Sequence, residues 1–320
     1  MEKHLDNPAH IYLLEDGLDL WLASLENSCT PVPRALLGLL PILNKLLTIQ
    51  SENLKFCLEI VKAYAAFGSP EFFQYFHELA SSLTSLLEEL RPEGLYAILK
   101  TFEFCLQVGK KEAFGKCEEL FVWCATQVVQ NTEPLTVPLL SVSCLSRAVL
   151  IEASVLPMIT NLLSQQANSN ISDLFLKNFV QKVRNQSYDI ERTKLNVLAL
   201  CTLIQESIIN YDTDGFPDVV ATIAECYHEI CPFSEDSLVS SLLESEVSET
   251  DEECELLHTE HDKRVLALKK SDPVWALPLN SAVRSSLMRS KQNWGDDCFQ
   301  VAWMTVDPEI RLALQTICGF

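Results

Sequence analysis

Residues Ser51 to Gly68, SENLKFCLEIVKAYAAFG, carry two apolar stripes at helical spacing, and few folds accept such a helix. Leu54, Cys57, Leu58, Val61 and Ala65 form one stripe, and Phe56, Ile60, Ala63 and Phe67 form the other. Glu52, Lys55, Glu59 and Lys62 make a single narrow polar ridge between them. A helix on the surface of a globule has one apolar face. A helix with two needs neighbours on both sides, one from its partner and one from the next element. Gly68 supplies a stop, and Ser69-Pro70-Glu71 reads as N-cap, first-turn proline and first-turn acid of a second helix. Phe72, Phe76, Leu79, Leu83, Leu87 and Leu90 line one side of that helix. The stretch is an antiparallel helix pair of about forty residues.

The pair recurs. Helix starts are predicted near Ile11, Pro33, Ser51, Pro70, Pro92, Lys111, Thr136, Val155, Ile171, Ile190 and Phe216. Single helices thus step at about twenty residues and pairs at about forty, the period of HEAT-type arrays, although no residue signature returns at fixed offsets. One pair cannot bury both faces of its helices, whereas stacked pairs share a continuous core. The predicted fold is all-α: a HEAT-repeat α-solenoid with a short helical C-terminal cap. A bundle or a globular all-α domain is the alternative. With only 9 glycines and no period-two run of Val, Ile and Thr, the chain offers no strand pattern.

Four regions follow: a frayed N-terminus at 1–10, a repeat array at 11–232, an acidic disordered loop at 233–264 and capping helices at 265–320. In the array, Ile11–Asn27 turns Leu13, Leu14, Leu18, Trp21, Leu22 and Leu25 inward. Pro41 should kink or split the helix from Arg34 to Ile49. Lys111–Asn131 reads as one helix, paired with Pro92–Val108. Arg192 and Lys194, beside Asp189 and Glu191, read as a solvated ridge. In the cap, Pro278–Arg289, Asp297–Thr305 and Pro308–Cys318 are short helices, docked through Trp275, Trp294, Phe299 and Trp303.

Charge narrows the partners. The formal net charge is −20. Glu235–Asp262 contributes −11 of it with no Lys or Arg, while the remaining 33 acids and 24 bases give −9. Nucleic acid and anionic membrane both call for a basic footprint, so neither is an expected partner. A basic protein surface is. Glu244, Glu246, Glu249, Asp251, Glu252, Glu253 and Glu255 are the candidate contacts for such a partner. The competing reading is a disordered loop that keeps the chain soluble.

The 12 cysteines are scattered singly, mostly on apolar helix faces, where a thiol packs as a small hydrophobe. The first thirty residues hold Glu2, Lys3, Asp6, Glu15 and Asp16 and no apolar core of a secretory signal. The longest apolar stretch, Ala35–Leu43, contains Pro41 and is too short to span a bilayer. A reducing compartment, cytosol or nucleus, is expected. Cys226, His228, Cys231, Cys254, His258 and His261 are zinc-ligand types, but their spacing matches no familiar zinc pattern. No phosphate loop, nucleophile elbow or triad arrangement is present, so no catalytic, cofactor or metal residue is assigned and no enzyme is expected.

Several segments carry a family resemblance: NPAHIYLLEDGLDLWLASLEN, SENLKFCLEIVKAY, ERTKLNVLALCTLI, and the tail EHDKRVLALKKSDPV with MTVDPEI and Gly319-Phe320. They resemble the C-terminal part of importin-β (karyopherin-β) nuclear transport receptors. The resemblance implies a HEAT-repeat receptor for basic protein cargo that contacts phenylalanine-glycine nucleoporins and works in cytoplasm, nucleus and nuclear pore. It also implies Ran-GTP binding through N-terminal repeats, and nothing at the start of this chain resembles those. A C-terminal fragment or short form of a receptor is the expectation. The rival is a HEAT scaffold or regulatory subunit unrelated to transport.

Overall fold

Gly68 ends the first two-faced helix with φ +64°, a left-handed conformation that a residue with a Cβ adopts at a cost. Ser69 then caps the next helix, its Oγ accepting from the Phe72 N–H at 3.2 Å, with Pro70 in the first turn. In the computed structural model of the chain, residues 8–49, 53–130, 135–167, 171–186, 189–210, 215–230 and 259–319 are described. Every regular element among them is helical. In order they are α1 (Pro8–Asn27), α2 (Arg34–Leu37), α3 (Leu40–Ile49), α4 (Leu54–Ala65), α5 (Pro70–Ser85), α6 (Pro92–Gly109), α7 (Lys111–Phe114) and α8 (Glu118–Gln130). There follow α9 (Thr136–Ile151), α10 (Val155–Ala167), α11 (Ser172–Arg184), α12 (Ile190–Gln205) and α13 (Phe216–Ile230). The last five are α14 (Glu260–Ser271), α15 (Pro273–Ala276), α16 (Leu279–Trp294), α17 (Asp296–Thr305) and α18 (Pro308–Cys318).

The chain divides into two compact units, Met1–Glu119 with Glu253–Leu268, and Leu120–Glu252 with Lys269–Phe320. In the first unit, α1, α4 and α6 pack in one row and α3, α5 and α7 in a second. With α2 and α3 counted as one broken helix, contacts within each row skip one helix in sequence, as a stack of helix pairs demands. Both stripes of α4 are used: Leu54, Cys57, Leu58, Ile60, Val61, Ala63, Tyr64 and Ala65 are all buried. The ridge stays wetter, with Lys62 Nζ 2.7 Å from Glu59. An aromatic chain crosses the unit. Trp21 donates to the Tyr64 hydroxyl at 2.9 Å, and that hydroxyl donates to the Leu36 carbonyl. Tyr64 stacks on Phe72 with ring centroids 5.9 Å apart, and Phe76 meets Phe102 edge-on at 6.2 Å.

In the second unit, α9, α12 and α16 form one row; α11 packs on α9 and α13, and α13 packs on α17 and α18. Pressed by α9, α13 and α16, α12 is buried at every residue from Thr193 to Cys201. Lys194 is consequently 0 % exposed, which corrects the solvated-ridge reading. Arg192 does pair locally with Asp189, at 2.7 Å.

Four boundary expectations are refined. Pro41 splits its helix: α2 stops at Leu37 and α3 restarts at Leu40. The helix read as Lys111–Asn131 is two pieces, α7 and α8, with Gly115 ending the first. Helix α14 starts at Glu260, inside the stretch read as loop, and α1 already starts at Pro8, inside the stretch read as frayed.

Candidate functional site

The seven acidic contact candidates, Glu244 to Glu255, lie outside the described residues, as do Cys231, Cys254 and His258. The structure does describe how the chain is fastened where that acidic stretch ends. In the first unit, Thr259 and Asp262 form a reciprocal cap: the Thr259 N–H and Oγ–H donate to Asp262 Oδ2 at 3.2 and 2.6 Å, and the Asp262 N–H donates to Thr259 Oγ at 3.1 Å. This is the capping-box arrangement, with aspartate as its acid. One turn later Arg264 reaches back across more than two hundred residues of sequence. Its guanidinium donates to the Ser28 carbonyl at 2.7 Å and the Leu25 carbonyl at 3.1 Å, and lies 3.8 Å above the Phe67 ring. A cation at the C-terminal end of α1 suits the helix dipole, and the Leu25 carbonyl, which already accepts the Ser28 N–H at 3.3 Å, gains a second, charged donor. Burial lowers the Arg264 pKa.

The clasp is crowded with charge. Glu26 of α1 is raised above the usual carboxylate range by burial and by the like charges of Asp262 and Glu59. His261 is lowered, first by burial, then by Arg264 and Lys62 against the opposing pull of Asp262 and Glu59. The Nδ1 atom of His261 is enclosed and has no hydrogen-bond partner among the described residues.

In the second unit the C-terminal segment is bolted to α9 and α12. Arg147 Nη1 donates to both Asp272 oxygens, at 2.9 and 2.7 Å, with side-chain exposures of 4 % and 2 %. Asp272 also caps α15, accepting from the Val274 N–H at 2.9 Å. Trp275 donates to Glu191 at 3.2 Å and carries Lys269 over its ring at 4.1 Å. Ser286 and Ser290 donate to the carbonyls of Cys201 and Ile204 at 2.6 and 3.2 Å. Trp294 donates to Ser207 at 3.0 Å. Between α12 and the α15–α16 corner lies an open groove of about 250 Å³, whose walls include Leu198, Thr202, Pro273, Leu277 and Ser281. Leu277 stays 47 % exposed at its edge.

Among the described residues no group of three or more His, Cys, Asp or Glu is placed to hold a metal. Of the zinc-ligand types, Cys226 is buried and His228 exposed. Buried thiols are pushed up by desolvation, Cys57 and Cys318 to about 11, Cys201 and Cys226 to about 12. No described helix is long and apolar enough to cross a membrane.

Residues 3–319, the whole of both units but for the extreme ends, match the model of importin-11-like TPR repeats. The chain belongs to that family. It is 30 % identical to importin-11 of Homo sapiens over 329 residues and 30 % identical to importin-11 of Mus musculus over 328 residues. Each match covers 98 % of this chain and 33 % of the relative, so the chain spans about a third of the length of the importins it resembles. No solved structure matches it. Membership agrees with the helix-pair repeat reached from the apolar stripes of α4. The clasp was missed in the sequence, although Thr259-x-x-Asp262 ahead of Val265 and Leu266 is a legible capping signal.

Proposed function

We propose that this chain is the cargo-binding, C-terminal part of a nuclear transport receptor. What supports this is the importin-11-like repeat match along residues 3–319. In this reading basic proteins are the cargo, and they are recognised by an acidic helical surface together with Glu244, Glu246, Glu249, Asp251, Glu252, Glu253 and Glu255. An acidic surface on a chain of charge −20 speeds encounter with basic partners and disfavours nucleic acid. Phenylalanine-glycine nucleoporins are the second class of partner, and the groove beside Leu277 is the described recess suited to an aromatic side chain. Ran-GTP acts through repeats outside this sequence, and the protein moves between cytoplasm and nucleus through the pore.

Retention on immobilised phenylalanine-glycine repeats tests the reading. The folded chain should be retained, and Leu277→Asp should lose most of that retention with helicity unchanged. A folded chain that is not retained, and binds no basic protein at low salt, would favour a scaffold without transport function.

A further inference from the structure

We infer that His261 makes the fastening of α14 onto α1 and α4 a pH-gated clasp, closed while the imidazole is neutral and loosened when it is protonated. The geometry sets the direction. An imidazolium needs two hydrogen-bond acceptors, one for each ring N–H. His261 Nδ1 is enclosed with no partner among the described residues, so a proton added there would be a buried, charged donor with none of them to receive it. The ring also sits in the first turn of α14, at the positive end of the helix dipole.

The neighbouring charges divide. On α14 itself, Arg264 opposes protonation and Asp262 favours it, while Glu260 and Lys263 are tied to each other at 2.7 Å. On α4, Lys62 opposes and Glu59 favours it, and these two are also paired at 2.7 Å. From α1, Glu26 faces Asp262 and Glu59 rather than the ring. Beyond α1, Cys29 lies near Lys263 and Arg264. Burial and the two cations prevail over the two carboxylates.

The linkage has one sign in this window. A histidine whose docked pKa lies below its free value of 6.5 binds fewer protons docked than undocked. Docking is therefore fully favourable above pH 6.5 and weakens as pH falls from 6.5 towards the docked value. Glu26, raised from 4.5, works in the opposite sense, through a window set by a carboxylate rather than an imidazole. Opening would release the Leu25 and Ser28 carbonyls from Arg264 and bare the Phe67 ring.

The test is amide hydrogen exchange on the full 320-residue chain at pH 7.5, 6.5 and 5.5, corrected for intrinsic rates. Protection over Lys263–Leu268 should fall about tenfold per pH unit within the His261 window, while α12 keeps its protection. His261→Gln, which does not titrate, should hold the segment's protection constant. An unchanged wild-type segment overturns the clasp, and so does an equal loss in the glutamine variant. NMR titration of the wild-type ring gives an independent reading. A midpoint below 6.5 supports the inference, and a midpoint at or above 6.5 overturns it.

Discussion

Asp272→Ala would strand the Arg147 guanidinium in the second unit with no carboxylate to answer it. Breaking a buried pair from one side costs about 3–5 kcal/mol, and it would be seen in urea unfolding as an earlier midpoint. Replacing Arg147 and Asp272 together with apolar residues should recover much of that loss, because no orphan charge remains. Tyr64 is a second such point. Tyr64→Phe leaves the Trp21 N–H without its acceptor, while the Leu36 carbonyl keeps the Leu39 N–H at 2.9 Å, an expected loss of about 1–3 kcal/mol by the same measurement. Neither cost could be read from the chain. Arg147 and Lys194 look like any other helical cations until the three neighbours of α12 and the return of Asp272 place them in the interior. Charge signals a wet face only where one side of a helix is left open, and α12 is buried at every residue from Thr193 to Cys201.

Helices were far more legible than their contents. The proline, serine and glycine signals around Gly68, Pro70, Pro92 and Val155 located starts and stops to within three residues, because capping is decided locally. The break at Gly115 and the early start of α14 were not anticipated. In the second case the surrounding acidity hid the Thr259–Asp262 cap. Thr259→Ala should therefore loosen the first turn of α14 by about 0.5–2 kcal/mol, seen as faster amide exchange there with the remaining helices unaffected. Packing between helices supplies a sharper test. A Cβ built on Gly109, at the end of α6, would overlap the Phe73 ring of α5. Gly109→Ala should overpack that contact and cost about 1–3 kcal/mol, whereas Gly17→Ala, with open space around it, should not destabilise α1.

At the scale of the whole chain, uneven charge is the feature to test. Changing Glu249, Asp251, Glu252, Glu253 and Glu255 to serine removes five of the 11 charges in Glu235–Asp262. Binding to a basic partner should weaken at low ionic strength and differ little from wild type at high salt, where the Debye length shrinks to a few ångströms. Unchanged affinity at both would confine recognition to the helical surface. The repeat architecture was legible because two-faced helices leave so few ways to fold, while the fastening of the C-terminal segment depends on contacts across hundreds of residues. The thiols offer a different handle. Eight of the ten described cysteines are buried, leaving Cys29 exposed in the first unit and Cys298 partly so in the second. Once Cys231 and Cys254 are changed to serine, a maleimide dye should attach at just two places, one on each unit. The chain thus carries its own pair of fluorophore anchors, and energy transfer between them would report their separation in solution without any cysteine being added.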